Sequence, residues 1–370
     1  MRIAYFTHSL ASCWNHGNAH FLRGVLRELI ARGHDAVAFE PADGWSLQHL
    51  IADHGAEGLG AYRQAYPELS SHSYDPAGEI EPLVADADLV IVHEWNDPAL
   101  VAQLGRLRRR GAGFTLLFHD THHRAVSDPQ AIRMFDLSGY DAVLAFGAAL
   151  AEVYRRWGWG DRVFVWHEAA DIRHFHPPAE EPHRSGLVWI GNWGDDERSQ
   201  ELEQFLLRPA RTAELALDVH GVRYPPEAVD MLAQYGARYR GWLPNARAPA
   251  IFAQHLATVH VPRRYYATIL PGIPTIRVFE ALACGIPLVS APWSDSEGLF
   301  RPGQDYLVAT DGAAMAEHMT ALRHDDALRG SLVRSGLEII RARHTTSHRV
   351  EELLAIVDRL TIPSPVRSVA

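Results

Sequence analysis

The chain alternates between short apolar runs and longer segments in which apolar residues recur every third or fourth position. Residues 2–6 form a short apolar run, which predicts a strand, and residues 18–32 carry large apolar side chains at helical spacing. Gly33 follows that predicted helix, and residues 35–39 predict the next strand. Strand, loop, helix and strand in this order indicate a βαβ unit with parallel strands.

The same alternation continues through both halves of the chain. Further strands are predicted at residues 88–92, 114–118, 142–145, 163–165, 187–190, 215–219, 257–261 and 288–290, and helices at 98–110, 201–207 and 347–360. Such a series is typical of α/β folds, in which ligands bind at the carboxyl ends of the strands. The sequence therefore predicts two Rossmann-like, doubly wound parallel-sheet domains that face a cleft.

The predicted boundary between the two domains lies in residues 167–185. This segment contains three prolines and several charges, with little periodicity. We place the first domain at residues 1–170 and the second at residues 171–346. Residues 44–82 are predicted to be an insertion with helices, and residues 361–370 a disordered tail.

Composition narrows the classes of function. The 370 residues suffice for two domains, and the net charge of -10 argues against a nucleic-acid partner. Cys13 and Cys284 are the only cysteines, without metal-site spacing, which favours a reducing, cytoplasmic location. We expect neither a signal peptide nor an integral membrane segment, because the apolar runs are too short. Oligomeric state stays open.

The sequence contains no lysine, so all 35 basic residues are arginines. Walker-type phosphate loops, pyridoxal-phosphate enzymes and protein kinases each require a lysine. These three classes are therefore excluded. Any phosphate must be held by arginine, histidine, hydroxyl or backbone N–H groups.

The most informative segment is residues 277–289, which read RVFEALACGIPLV. It predicts a helix that Gly285 ends and that Pro287 cannot continue, followed by a buried strand. Free N–H groups at the start of such a helix bind phosphate, and the Glu280 carboxylate can accept hydrogen bonds from a ribose diol. The segment therefore predicts a site for a nucleotide diphosphate.

This motif, in a chain with two Rossmann-like halves, resembles group-1 glycosyltransferases of the GT-B fold, particularly the CgeB/YkvP-like branch. Residues 33–35, 169–177 and 240–244 resemble further family segments in order and spacing, and the C-terminal helix 347–360 resembles one that packs back on the first domain. The resemblance implies a metal-independent glycosyltransferase. Its co-substrate would be a nucleotide-sugar, with a UDP-sugar favoured, and neither a further cofactor nor a bound metal is expected.

The resemblance also implies which residues of the second domain bind the donor. Many group-1 enzymes carry a further glutamate eight residues before the one matched by Glu280, but Gly272 stands there. The donor sugar and the stereochemical outcome are therefore open, with retention favoured. Arg277 is expected either to contact phosphate or to pair with Glu280. The predicted donor-binding residues are Glu280, Arg277, Thr275, Ile276, Arg263, Arg264, Gly191, Asn192, Trp193, Trp242 and Leu243.

Polar residues after the predicted strands of the first domain form the other side of the cleft. In the family a histidine near the start of the His-Asp-Thr-His-His run contacts the donor sugar, so His119 is predicted to do so and Asp120 to be a base. A loop before the first helix is predicted to face the donor phosphates or the acceptor. The predicted cleft-loop and acceptor-side residues are Asn15, His16, Gly17 and Glu94.

Three other functions fit parts of the sequence. A nucleotide-sugar epimerase of the same fold would crowd histidines and carboxylates around the donor. A metal-dependent hydrolase would use the His119 cluster, although adjacent His122 and His123 should point apart. A nucleotide-sugar-binding protein without catalysis would fit Gly272. The predicted function is a glycosyltransferase that acts on an unidentified acceptor.

Overall fold

The computed structural model describes residues 1–180, 182–194 and 197–361. The predicted disordered tail lies, beyond Thr361, outside the described residues. Strands and helices alternate along almost the whole described chain, and all strand pairs are parallel. The predicted doubly wound α/β architecture is confirmed.

The first sheet has seven strands in the order β3-β2-β1-β4-β5-β6-β7. Its strands are β1 (Arg2–Phe6), β2 (Asp35–Pro41), β3 (Ser71–Tyr74), β4 (Leu89–His93), β5 (Thr115–Asp120), β6 (Ala142–Ala145) and β7 (Val163–Val165). Every residue of β4 and β5 is buried. Helices cover both faces of such a sheet, which explains why its central strands are almost continuous apolar runs.

The second sheet has six strands in the corresponding order, β10-β9-β8-β11-β12-β13. Its strands are β8 (Leu187–Ile190), β9 (Leu217–His220), β10 (Arg238–Gly241), β11 (Ala257–His260), β12 (Leu288–Ser290) and β13 (Leu307–Val308). The sequence did not predict β3, β10 or β13. The first two are polar, largely exposed edge strands, and the third has only two residues, so none shows a buried apolar run.

The helices connect consecutive strands and flank the sheets. They are α1 (Ala19–Ala31), α2 (Trp45–His54), α3 (Gly60–Ala65), α4 (Glu81–Val84), α5 (Pro98–Arg109), α6 (Arg124–Ser127), α7 (Pro129–Arg133), α8 (Ala148–Tyr154), α9 (Ser199–Leu202), α10 (Arg208–Thr212), α11 (Pro226–Gln234), α12 (Ala248–Ala253), α13 (Arg264–Thr268), α14 (Ile276–Ala283), α15 (Gly312–His324), α16 (Asp326–Arg343) and α17 (Thr346–Thr361). A π-helical segment, Glu203–Leu207, joins α9 to α10. None of the helices in the described ranges is long and apolar enough to cross a membrane.

The C-terminal helix α17 packs against the first sheet's side of the molecule, beside α1. Arg32, directly after α1, donates a hydrogen bond to the Ser347 hydroxyl at 2.7 Å, and the buried Trp166 indole donates to the Arg349 carbonyl at 2.8 Å. The domain boundary near residue 170 stays a prediction. The strands of the first sheet end at Val165, and those of the second begin at Leu187.

Candidate functional site

A cavity of about 510 Å³ lies between the two sheets. In each sheet the strand order reverses once, between β1 and β4 and between β8 and β11. The loops after these four strands all reach the cavity, through His8, Trp95, Gly191 and Val261. Doubly wound sheets bind ligands where the strand order reverses, so the cavity occupies that position for both sheets at once.

Helix α14 directs its N-terminus into the cavity. Thr275 precedes the helix and makes no side-chain capping hydrogen bond, and Thr275, Ile276 and Arg277 line the cavity. At the other end, Gly285 has a φ of 64°, and this left-handed residue stops the helix as predicted. Uncapped N–H groups at the positive end of a helix dipole form a site for phosphate.

Three arginines of the second domain, Arg198, Arg263 and Arg277, line this side of the cavity. The buried Arg198 guanidinium donates hydrogen bonds to the carbonyls of Asn192 at 2.6 Å and Val261 at 3.2 Å, and its Nε has no partner among the described residues. Burial lowers the pKa of Arg198 to about 9, which leaves the group cationic at neutral pH. Sequence reasoning missed Arg198, because it belongs to none of the motifs.

Most of the predicted donor-binding residues line the cavity: Gly191, Asn192, Arg263, Thr275, Ile276, Arg277, Trp242 and Leu243. Trp242 stacks on His54 of the first domain, with ring centroids 4.6 Å apart. A Cβ at Gly191 would lie 2.8 Å from the Trp189 ring, so a larger residue there would displace that ring. The structure therefore assembles these residues although they are far apart in the sequence.

Three predicted donor-binding residues, Trp193, Arg264 and Glu280, do not reach the cavity. Trp193 is buried in the core of the second domain, 5.6 Å from Tyr224 between ring centroids. Arg264 lies at the surface, where it donates to Glu201 at 3.1 Å, whereas its neighbour Arg263 lines the cavity. Arg263 and Arg264 thus point in different directions, and the sequence does not show which of the two faces the cavity.

Glu280 is fully buried and does not line the cavity. Its Oε1 accepts hydrogen bonds from His20 Nδ1 at 2.9 Å and from Asn245 Nδ2 at 2.7 Å, and its Oε2 accepts from Arg277. Burial alone would raise the pKa of Glu280, but these partners, Arg277 first, hold that pKa below its ordinary value. The carboxylate is ionised and occupied by protein groups, so it offers no free oxygen to a ribose in this structure.

The predicted catalytic pair, His119 and Asp120, lies in the protein core and not on the cavity wall. Strand β5 continues two residues beyond its predicted end, so the two side chains point to opposite faces of the sheet. His119 accepts a hydrogen bond from the Tyr5 hydroxyl at 2.5 Å, and burial lowers its pKa to about 3. Asp120 accepts from the Tyr154 hydroxyl at 2.6 Å, and burial raises its pKa to about 6. The expectation that they face the cleft is corrected.

Glu94 also lies behind the cavity wall. It is fully buried, and its Oε1 accepts hydrogen bonds from the N–H and the hydroxyl of Thr121 at 3.1 and 3.0 Å. Burial, reinforced by Asp120, raises the pKa of Glu94 well above its ordinary value. The cavity wall at this place is Thr121 itself, so Glu94 positions the loop and does not reach an acceptor.

The predicted cleft loop of the first domain does line the cavity, through Asn15, His16 and Gly17. Asn15 has a φ of 51° and accepts a hydrogen bond from Asn192 of the second domain. A Cβ at Gly17 would lie 3.7 Å from the Ile276 side chain, at the start of α14. This loop therefore closes over the side of the cavity where α14 begins.

Exposed aromatic side chains stand where the first domain borders the cavity. Trp45 is 49% exposed and Trp95 is 43% exposed, and both line the cavity. The Arg124 guanidinium lies 3.9 Å from the Trp95 ring centroid and covers one face of that ring. Large exposed tryptophans are uncommon in a soluble fold, so this wall is suited to binding a second molecule.

Three histidine–glutamate pairs join the two domains across the cleft. His20 pairs with Glu280 at 2.9 Å, His123 with Glu197 at 3.3 Å and His167 with Glu297 at 3.0 Å, each histidine coming from the first domain. Burial tends to raise the pKa of Glu197, but hydrogen bonds from His123 and Arg263 bring that pKa down to about 2. The structure is thus a closed form in which polar contacts hold the cleft together.

Gly272, where the family has a further glutamate, has a φ of 84°. A Cβ there would lie 2.4 Å from the Ser296 hydroxyl and 3.1 Å from Glu297 Cγ. The backbone and the neighbouring side chains therefore favour glycine at this position. The nearby Glu297 carboxylate accepts from the Ala148 N–H at 2.9 Å at the start of α8, so it serves the domain contact.

The histidine cluster does not form a metal site. Among the residues that the structure describes, no group of three or more histidine, cysteine, aspartate or glutamate side chains is placed to hold a metal ion. His122 and His123 line the cavity while His119 is buried behind it. The arrangement that a metal-dependent hydrolase would need is not found in the described part of the chain.

Comparison with known families identifies the second half of the chain. Residues 198–355 match a family model described as "Glycosyl transferase-like", which covers less than half of the chain. This region is thus of the glycosyl transferase type, the enzyme class predicted from the sequence. A search of curated protein sequences finds no match.

Solved structures resemble the whole chain. An alpha-glucosyltransferase in complex with UDP and a 13-mer DNA has a TM-score of 0.71 and 13% identity, over 97% of this chain and 99% of that chain. Sucrose-phosphate synthase from Thermosynechococcus elongatus has a TM-score of 0.68 and 15% identity over the same shares. The Anabaena protein HepE, in complex with UDP and glucose, has a TM-score of 0.67 and 15% identity, again over the same shares. These likenesses confirm the predicted GT-B fold.

Proposed function

We propose that the protein transfers a sugar from a nucleotide-diphosphate sugar, with a UDP-sugar favoured, to an acceptor. The observation that carries this proposal is the meeting of the uncapped N-terminus of α14 with Arg198, Arg263 and Arg277 on one side of the cavity. Fixed cationic and N–H groups stabilise the charge that develops on a departing diphosphate. Because arginines can supply this charge, the transfer is proposed to be independent of a metal ion.

The two sides of the cavity suggest a division of labour. We propose that the donor binds to the second domain, with its base near Trp242 and Leu243, and that the acceptor binds to the first domain near Trp45 and Trp95. A separate aromatic wall is expected of a transferase and not of an epimerase, which has no second substrate. Closure of the cleft would exclude water and limit hydrolysis of the donor.

The proposed contact of Glu280 with a ribose needs a rearrangement. One Glu280 oxygen is occupied by His20 of the first domain and Asn245, and the other by Arg277. Opening of the cleft would remove His20 and free one acceptor position on Oε1, which Asn245 would still share. We therefore propose this contact for the open form, in which the nucleotide enters.

Further features of the proposal rest on the resemblance and on composition. We keep retention of the sugar configuration, the CgeB/YkvP-like branch and a cytoplasmic location as proposals. A nucleic-acid acceptor is disfavoured by the net charge of -10, although one structural relative is in complex with DNA. Titration with duplex DNA should therefore give no binding at moderate salt.

UDP is expected to stabilise the protein against heat. A ligand that binds the folded state alone raises the melting temperature by mass action, here by roughly 5 °C at a hundredfold excess over its Kd. Differential scanning fluorimetry with UDP, GDP, ADP and dTDP measures this shift and ranks the bases. If none of the four changes the melting temperature at millimolar concentration, the donor site is not where we place it.

Replacing Arg198 by methionine is expected to weaken UDP binding by roughly 10- to 100-fold, because a charge-assisted hydrogen bond to phosphate is lost. Isothermal titration calorimetry measures the Kd. The matched control is Arg264→Met, since Arg264 lies at the surface beside Glu201 and should leave the Kd unchanged. Equal UDP affinities of the wild type and Arg198→Met would show that Arg198 does not contact the phosphate.

A further inference from the structure

Glu168 stands at the crossing between the two domains, on a firmly held stretch of backbone. It follows β7, and its carbonyl accepts a hydrogen bond from Arg349 Nε of α17 at 3.4 Å. Two residues later, the Ala170 N–H donates to the His344 carbonyl at 2.9 Å. Because α17 and the segment before it hold this backbone, the Glu168 side chain is presented to the cavity from a fixed position.

Glu168 lines the cavity, and one oxygen of its buried carboxyl group has no protein partner among the described residues. The residue is 2% exposed, and its Oε1 makes no hydrogen bond within the described ranges. An ionised carboxylate buried without a partner is strongly unfavourable, so the neutral acid is preferred. A neutral carboxylic acid has one O–H group to donate. The unused donor therefore points to a ligand that accepts a hydrogen bond.

The charged groups around Glu168 agree with a neutral acid. Burial is the main cause that raises the pKa of Glu168 well above its ordinary value, and the negative charge of Glu280 adds to it, while Arg277 opposes it. Tyr266 of α13 lines the same cavity and is also buried, and burial raises its pKa well above its ordinary value. Two uncharged donors thus share the cavity with the arginines.

We propose that Glu168 is a further binding residue of the nucleotide-sugar site, where its protonated carboxyl group donates a hydrogen bond to a phosphate oxygen of the donor. The proposal rests on the proposed function, because the phosphate is the one placed at the N-terminus of α14. Thr275, Ile276 and Arg277 line the same cavity as Glu168 and would hold that phosphate. An ionised carboxylate would repel it, whereas the neutral acid adds a donor to the N–H and guanidinium groups.

Calorimetric titration of UDP into the wild type, Glu168→Gln and Glu168→Ala tests this role. At pH 6.5 we expect Glu168→Ala to raise the Kd at least roughly tenfold, and Glu168→Gln to keep most of the affinity because its amide N–H also donates. As the pH rises toward 9, the UDP affinity of the wild type should fall relative to that of Glu168→Gln. The reason is that the side chain at position 168 can ionise only in the wild type. Melting curves check that both variants are folded.

The outcomes separate this proposal from the proposed function. If the wild type binds UDP and Glu168→Ala binds it equally well, Glu168 does not contact the phosphate. If Glu168→Gln loses as much affinity as Glu168→Ala, a hydrogen-bond donor at this position does not support binding, and the proposal is overturned. Failure of the wild type to bind UDP would instead count against the donor site as a whole.

Discussion

Lowering the pH from 7 to 5 is expected to reduce the free energy of unfolding by on the order of 5 kcal/mol. The cause is a set of buried histidines whose pKa values lie below the ordinary value of 6.5. Burial lowers the pKa of His8 to about 4 and those of His119, His260 and His344 to about 3. The pKa values of His16, His93 and His122 are also lowered well below 6.5, mainly by burial.

The sign follows from where each state binds protons. Below pH 6.5 the unfolded chain protonates these histidines, while the folded protein keeps His8, His119, His260 and His344 neutral until the pH reaches about 3 to 4. Each such proton lowers stability by about 1.4 kcal/mol per pH unit. The contribution of the neutral histidines to the free energy of unfolding is therefore fully present above pH 6.5 and is lost as the pH falls below it.

Three buried carboxyl groups act in the opposite direction. The pKa values of Glu94 and Glu168 are raised well above the ordinary value, and that of Asp120 is raised to about 6, in each case mainly by burial. In the folded state these carboxyl groups keep their protons to a higher pH than in the unfolded state. In the unfolded state they lose their protons above about pH 4 to 4.5. Acidification toward that pH therefore stabilises the protein through them, but seven histidines outweigh three carboxyls.

Urea unfolding at pH 7, 6 and 5 measures the effect. The matched variant is His119→Phe, which replaces a neutral ring that packs near Phe21 and Trp166 by an apolar ring of similar size. We expect the slope of stability against pH to be shallower in this variant by about 1.4 kcal/mol per unit, whatever its stability at pH 7. A stability that stays flat from pH 7 to 5 would contradict the neutral burial of these histidines.

Replacing Glu280 by alanine is expected to lower the free energy of unfolding by about 3 kcal/mol or more. The change removes an ionised carboxylate that is fully buried and leaves Arg277, Asn245 and His20 without their acceptor. His20 has only its Nδ1 hydrogen for Glu280, because its Nε2 accepts from the Asp171 N–H at 2.7 Å. The sequence alone suggested a ligand-binding residue whose loss the fold would tolerate.

The control for Glu280→Ala is Glu338→Ala, because Glu338 is largely exposed and reaches Arg301 only at 3.7 Å. That exposed contact should cost less than about 1 kcal/mol. Chemical unfolding monitored by tryptophan fluorescence compares the two. If Glu280→Ala were as stable as Glu338→Ala, the buried hydrogen bonds of Glu280 across the cleft would not contribute to the free energy of unfolding. Glu280 would then be a ligand-binding residue alone.

The central strands were predictable because burial leaves a strong local signal. Five strands, including β1 and β8, have the predicted bounds, and the left-handed Gly285 follows the end of α14 as expected. The edge strand β10 carries polar, exposed side chains and gave no such signal. Strand β5 was predicted two residues short, because its last residues, His119 and Asp120, are polar although the sheet buries them.

The sequence likewise predicted only some of the residues of the candidate site. Motif residues on a loop or at a helix start, such as Asn192 and Arg277, line the cavity, whereas His119 and Glu280 are buried behind it. Arg198 and Glu168 line the cavity without belonging to any motif that indicated the donor site. A loop position after a strand can be recognised from the sequence, but the direction of one side chain within it depends on packing.

The sequence by itself determined the parallel α/β architecture, the absence of lysine chemistry and the helix start at which we propose that phosphate binds, because each depends on local pattern or composition. Only the tertiary structure decided which side chains share the cavity. The pairs His20–Glu280, His123–Glu197 and His167–Glu297 join residues more than 70 positions apart, and no local pattern encodes their meeting. They arise because two independently patterned sheets direct the carboxyl ends of their strands at each other.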